Sequence, residues 1–376
     1  MERRSFLRRT GTGAGVGAAL LAAPAITQAA LPSVRWRCTS GFPRTLDVIF
    51  GGAEDLARRV GEATGGRFHI TVAPAGEIVP MPQAVDAVAA GVVESAHTAA
   101  YFYIGQDPTW AFGTAIPFGM NARQINAWWK DGGGEQMFNT WLRPRGMQYI
   151  IAGNTGAQMG GWFRREIRTL ADISGLRVRI PGHGGTLWRA AGAVPQAIPP
   201  GDIYTALERG TIDGAEFVGP HDDEKLGFHR VARFYYHPGF WEGGASLGWL
   251  VNNRAWEALP AEYRHVFTAA AHEANSLMVA RYDARNAVAL RRLIAGGAQL
   301  RAFPRPVMQA FWEHAQTMFA ELGAANADFK RFYDHYTGFQ REVVGWMRIT
   351  ENSFDSLVAD LLRPRPPAAA GQRRPS

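Results

Sequence analysis

Between Val34 and Thr98 the sequence changes its period repeatedly, and this rhythm restricts the fold more than any other feature. Val34 to Thr39 reads as a strand, Thr45 to Ala63 as an amphipathic helix, and Phe68 to Val72 alternates as a second strand. Met81 to Ala90 is again helical and is stopped by Gly91, after which Val93 to Thr98 returns as a strand. Strands alternating with helices predict βαβ units and a parallel sheet. In such sheets ligands sit beyond the carboxyl ends of the strands. The segments placed there are Phe42 to Ile49, Glu77 to Pro82 and the aromatic run Tyr101-Phe102-Tyr103, which reads either as core or as a pocket wall.

Residues 1–29 read as an export leader. Arg3-Arg4-Ser5-Phe6-Leu7 followed by Arg8-Arg9 has a twin-arginine pattern, a weakly apolar run follows, and Thr27-Gln28-Ala29 suits cleavage before Ala30. Its removal takes away four arginines and one glutamate, lowering the formal charge from +7 to +4, and Arg363, Arg365, Arg373 and Arg374 account for the rest. The folded part is therefore near neutral, which excludes a nucleic-acid patch as the meaning of the high pI. The proline-rich stretch 363–376 reads as a disordered tail. One cysteine, Cys38, excludes an intramolecular disulfide and reads as a core residue. No stretch after the leader approaches the roughly 20 apolar residues of a membrane span. The remaining chain, roughly 345 residues, exceeds what one core serves, so two lobes are expected.

The later chain contains one conspicuous carboxylate. GDIYTALERG (Gly201 to Gly210) is a short helix ended by glycine, and Ile212 to Val218 follows as a strand with Glu216 between Ala215 and Phe217. Glu216 is either an exposed edge residue or a buried carboxylate that a cation must meet. After Gly219-Pro220, Asp222 or Asp223 is placed to cap a helix. Upstream, Asn121 to Leu142 reads as helix, Met147 to Ala152 as strand, and Asn154 to Trp162 as a Gly-rich crossing in which Gln158 offers a neutral oxygen to a hard cation. Arg177 and Arg179 share one face of a strand, and either one at its end could fork onto a carboxylate. Pro238 to Gly244 is an aromatic, Gly-rich loop. Leu247 to Asn252 is a strand, Glu262 to Ala295 a long helix, and Gln299 to Phe303 a strand. Two helical stretches from Pro306 to Leu362 carry more large apolar residues than one lobe buries, which allows a homodimer through these helices. Enzymatic alternatives are an acid/base pair of Glu216 and Glu242, or a metal cluster of His221, Asp222, Glu224 and His229. The eight-residue histidine spacing disfavours the latter, and no nucleophile elbow or phosphate loop occurs.

Six segments carry a resemblance that spans essentially the whole mature chain: FGGAEDL (Phe50 to Leu56), AGEIVP (Ala75 to Pro80), NTGAQMGGWFRREI (Asn154 to Ile167), GLRVRIPG (Gly175 to Gly182), Gly201 to Phe228, and PGFWEGG (Pro238 to Gly244). Together they resemble the DctP-type extracytoplasmic solute receptors of tripartite ATP-independent periplasmic (TRAP) transporters, most closely those for 2-oxo acids. The resemblance implies an α/β, two-lobe periplasmic binding protein with crossing strands in the hinge and a long C-terminal helical extension. Lobe I comprises 30–155 with 246–303, lobe II comprises 156–245, and the C-terminal helices occupy 304–362. It implies a receptor rather than an enzyme, closing on a small carboxylate and serving transporter subunits in the membrane. Arg179 matches the carboxylate-gripping arginine. Gln158 and Glu216 match side-chain ligands of a bridging cation, and Phe217 matches a main-chain ligand. Sodium is the implied ion, with calcium as the alternative. Tyr101 and Trp241 match wall positions and Asn154 a polar contact. Phe217 stands where these receptors carry Trp, a departure that spares a backbone ligand and leaves the choice among pyruvate, 2-oxobutyrate, lactate and related acids open.

Overall fold

The computed structural model describes residues 31–363. The expected leader and, apart from Arg363, the expected tail lie outside the described residues. The chain begins Val34–Ser40 (β1), Ile49–Ala63 (α1), Phe68–Ala73 (β2), Ala84–Ala89 (α2) and Ser95–Thr98 (β3). β1 pairs in parallel with both β2 and β3, as the alternation predicts. α1 buries Ile49, Phe50, Ala53, Leu56 and Val60, a stripe at helical spacing that fixes it on the sheet. The expected helix Asn121 to Leu142 is two helices, Ala122–Lys130 (α3) and Gly134–Leu142 (α4). They part at Gly133, whose φ of 83° is left-handed and open to glycine at little cost. Met147–Asn154 (β4) ends this half.

The chain then crosses to a second lobe: Gly161–Phe163 (β5), Arg177–Arg179 (β6), Gly182–Ala190 (α5), Val194–Gln196 (β7), Ile203–Glu208 (α6), Gly214–Ala215 (β8), Pro220–Leu226 (α7) and Phe234–His237 (β9). It returns as Ser246–Asn252 (β10) and continues through Asn253–Glu257 (α8) and Ala261–Ala295 (α9). Gln299–Ala302 (β11), Arg305–Ala325 (α10), Ala327–Ile349 (α11) and Glu351–Leu361 (α12) complete it. The first sheet has the order β2-β1-β3-β10-β4 and the second β11-β9-β5-β8-β6-β7. Because β10 runs antiparallel to both β3 and β4, the first sheet is mixed rather than parallel throughout. β11, assigned to the first lobe from sequence, pairs with β9 in the second sheet.

Two local expectations are corrected near the crossing. The strand expected over Ile212 to Val218 shrinks to Gly214–Ala215, since only these residues find partners on both sides, β5 and β6. Gly161 explains the glycine density there: with φ 93°, a Cβ on it would lie 2.7 Å from the Ala215 carbonyl oxygen. Nor do Asp222 and Asp223 cap α7. Gly219 is its N-cap with Pro220 at the first position, and both aspartates turn inward. The C-terminal part is three helices rather than two. α10 packs against α5 of the second lobe and α11 against α3 of the first, whereas no residue of α12 is buried. Among the described residues no helix is long and apolar enough to cross a membrane.

Candidate functional site

The site forms where the two parallel strands β6 and β8 end side by side. Their register opposes Arg179 to Ala215, so the next residue, Glu216, emerges beside the arginine. Glu216 N donates to the Arg179 carbonyl at 3.1 Å. Arg179 Nη1 donates to the Glu216 carbonyl oxygen at 2.7 Å and to its carboxylate Oε1, and Nε donates to the Ile198 carbonyl at 3.1 Å. Both side chains are almost fully buried. Arg177, two residues earlier on the same strand and half-exposed, instead forks onto the partly buried Asp213, with Nη2 to Oδ1 at 2.8 Å and Nε to Oδ2 at 3.0 Å. The two arginines are thus separated by their partners, one structural and near solvent, one buried at the lobe junction.

A second carboxylate, Glu242, joins Glu216 in this buried space. Trp241 Nε1 reaches Glu216 Oε2 at 3.4 Å, while Tyr101 and Gln158 face Glu242. Burial pushes the Glu216 carboxyl up to about 7 against the opposing pull of Arg179. Glu242 is raised well above the ordinary carboxylate range, first by burial and then by the charge of Glu216. Burial likewise raises the Tyr101 phenol, helped by Glu242. Two buried oxygens, Gln158 Oε1 and Glu242 Oε2, have no hydrogen-bond partner among the described residues. An unpartnered amide oxygen and two carboxylates facing one space form an oxygen donor set of the kind that hard cations accept. The residues present therefore fit a bound sodium or calcium ion, and Gln158, Glu216 and Glu242 are the side chains that could hold it.

Phe42, Tyr101, Phe102, Phe217 and Leu247 wall a cavity with Arg179 and Gln158 on its polar side. Its volume is about 10 Å³, room for a single water-sized sphere. A bound organic acid therefore requires the lobes to part before they close on it. Of the aromatic run, Tyr101 and Phe102 line this cavity, and Tyr103 is core. Asn154 is turned to the hinge: its Nδ2 donates to Ser246 Oγ at 3.1 Å, and its Oδ1 accepts from Gly156 N at 2.8 Å. Gln158 Nε2 is held by Thr155 Oγ1 at 2.9 Å, which aims its oxygen at the site. Glu242, expected from sequence only as a member of an acid/base pair with Glu216, is buried here beside Tyr101 and Gln158. The signal was available, since Glu242 stands in an aromatic, Gly-rich loop for the same unexplained reason as Glu216. The suggested metal cluster does not assemble: among the described residues His221 and Asp222 group with Asp47 rather than with Glu224 and His229, and Glu224 pairs with Arg292 at 2.5 Å.

Comparisons with known proteins agree on this architecture. Residues 40–326 match the profile of the bacterial extracellular solute-binding protein family 7, DctP. A monocarboxylate 2-oxoacid-binding periplasmic protein of Nostoc is 47% identical over 332 residues, covering 88% of this chain and 91% of its own. A TRAP transporter solute-binding protein of Bordetella bronchiseptica, solved as a dimer with calcium and picolinate in one active site, is 48% identical with a TM-score of 0.87. It covers 88% of this chain and 98% of its own. A TRAP solute-binding protein of Pseudoalteromonas atlantica, solved with sodium and pyruvate, is 33% identical with a TM-score of 0.83, covering 86% of this chain and 99% of its own.

Proposed function

The chain belongs to the bacterial extracellular solute-binding protein family 7, and from that premise we propose that it captures a small 2-oxo monocarboxylate for a TRAP-type transporter. It is a solute receptor and not an enzyme. The observation that carries the substrate class is the Arg179–Glu216 pair, which holds a buried arginine at the lobe junction beside the unpartnered oxygens of Gln158 and Glu242. Arg179 offers its guanidinium to the incoming carboxylate, exchanging one carboxylate partner for another without leaving a buried charge unpaired. Glu216, released from Arg179, joins Gln158, Glu242 and the main-chain carbonyl of Phe217 as cation ligands. The ion, when bound, supplies the positive charge that lets two glutamates and a ligand carboxylate share one dry site. Tyr101, Trp241 and Phe217 shape the wall around the acid's short tail, while Asn154 fastens the crossing strands behind it.

Sodium and calcium both suit this donor set. One pyruvate-bound relative holds sodium, another holds calcium, and the more similar picolinate-bound relative holds calcium. A six-atom acid is limited to roughly 9 kcal/mol at about 1.5 kcal/mol per atom, so tight binding requires every polar group to be paired. The division we propose is lobe I at 30–155 with 246–303, lobe II at 156–245 and C-terminal helices at 304–362, except that β11 pairs with β9 of the second sheet. The leader, outside the described residues, is read as a twin-arginine signal to the periplasm, where the closed receptor would meet its membrane subunits. α12 exposes Phe354, Leu357 and Leu361, continuing a row begun by Trp346 and Ile349, and Phe354 keeps 65% of its surface and Ile349 74%. A second copy of the chain is the occupant this face supports best, as the 48% identical relative forms a dimer. The experiment that tests the substrate class is a tryptophan-fluorescence titration with pyruvate, 2-oxobutyrate, 2-oxovalerate and lactate. Saturation by the oxo acids ahead of lactate is expected, and silence with all four would overturn the assignment.

A further inference from the structure

Asp47 lies outside the carboxylate site yet is a point where the first lobe grips the second through charge. It sits in the loop 41–48 between β1 and α1, whose two ends deliver Phe42 and Ile49 to the cavity wall. Leu46 and Val48 flank it and are fully buried, in the apolar cluster that also holds Phe217, Val218 and Tyr282. Asp47 Oδ1 accepts from Lys225 Nζ and is 3.1 Å from His221 Nε2, both on α7 of the second lobe. Its Oδ2 accepts from Arg285 Nη1 on α9 at 2.9 Å. Three cationic or donor groups from two elements converge on one carboxylate and hold its pKa down at about 2 despite partial burial.

α7 and α9 are themselves fastened together. Tyr282 OH donates to Asp222, His221 N donates to Asn286 Oδ1 at 2.9 Å, and Arg292 pairs with Glu224. α9 is tied in turn to α1 through Arg281–Asp55 and Arg59–Glu273. Moving α7 away from the loop 41–48 breaks the Lys225 and His221 bonds to Asp47 together with these α7–α9 bonds, and Arg285 keeps Asp47 where α9 stays with α1. Asp47, His221 and Asp222 also place ligand atoms within 4.8 Å of one another. A metal ion is not the reading here, because Lys225 and Arg285 already neutralise Asp47.

We propose that Asp47, gripped by Lys225 and His221, is a closure latch that positions the wall residues Phe42 and Ile49 and sets how long a ligand stays bound. The proposal rests on the receptor reading and involves none of the groups that hold the ligand. Asp47 and Lys225 are partly exposed, with 46% and 38% of their side-chain surfaces open, so the bonds are worth what screened pairs are worth. Asp47→Asn and Lys225→Met should each speed pyruvate dissociation roughly three- to tenfold at low salt. Association should be unchanged or faster, and the effect should shrink in half-molar salt. The double variant should be no faster than either single one.

The decisive experiment is stopped-flow fluorescence with pyruvate in the presence of calcium, paired with small-angle scattering of the ligand-free variants. Dissociation within twofold of wild type, or a slowed association with unchanged dissociation, overturns the latch. If wild type binds no carboxylate, the substrate class proposed above falls, and scattering still judges the latch. A larger radius of gyration in Asp47→Asn and Lys225→Met than in wild type supports it, and identical radii refute it.

Discussion

Replacing Arg179 with methionine separates the two roles that the buried arginine combines. The substitution keeps much of the side-chain volume but removes the donors to the Glu216 carboxylate, the Glu216 carbonyl and the Ile198 carbonyl. Breaking a buried pair by deleting one partner costs about 3–5 kcal/mol, since the other charge stays in a dry site. For a chain of this size that corresponds to a melting temperature lower by roughly 5 °C. Glu216 can recover part of the loss by taking a proton, because burial already lifts it to about 7, so the deficit should be larger at pH 8 than at pH 6. Carboxylate binding loses a buried, charge-assisted partner worth about 2–5 kcal/mol, a thirtyfold to several-thousandfold weakening. Adding Glu216→Gln to Arg179→Met removes the orphaned charge and should restore most of the stability without restoring binding. Differential scanning fluorimetry at the two pH values and a pyruvate titration read all of this. Near-normal affinity in Arg179→Met, or a double variant no more stable than the single one, would refute the reasoning.

The buried carboxyls also predict how stability depends on pH. Burial raises Glu216 to about 7, Asp222 to about 6 and Asp223 to about 7, so the folded chain keeps protons that the unfolded chain has released. Stability from this source is full at acid pH and is lost as pH rises through 7. His97 and His183, lowered by burial to about 3 and about 4, act in the opposite sense below pH 6.5. Above 6.5 the carboxyls alone decide among these groups, so the melting temperature should fall from pH 6.5 to 8, and Asp223→Asn should flatten that decline. On α12, Phe354→Glu with Leu361→Glu should convert a dimer to a monomer in light scattering without lowering the melting temperature, because neither residue is buried in its own chain. A monomeric wild type would contradict the assigned face.

The sequence carried the alternating first half because its information is local: period, glycine stops and turn residues suffice to order β1, α1, β2 and β3. Its limits follow from pairing. Periodicity puts Arg177 and Arg179 on one strand face, but only the register of β6 against β8 gives Asp213 to the first and Glu216 to the second. β10 enters the first sheet antiparallel and β11 enters the second, and neither partner choice is written in the strands' own residues. Asp222 and Asp223 have the composition of helix caps yet face Tyr282, Tyr235 and Trp162, since the tertiary fold brings buried donors to them. Glu216, which its apolar neighbours leave open between an exposed edge and a buried site met by a cation, is buried against Arg179. Glu242 in its aromatic loop poses the same choice, and its burial completes the acidic pair.

In the proposed site, Arg179 and a cation held at Gln158, Glu216 and Glu242 together bind a 2-oxo acid. Isothermal titration with pyruvate decides this, using wild type and Glu216→Gln stripped of calcium by a chelator and dialysed into sodium-free buffer, then repeated after adding sodium or calcium. Strong binding should appear in wild type only when one of the ions is present and should be lost in the variant. Equal affinity with and without cation in both proteins would contradict the account.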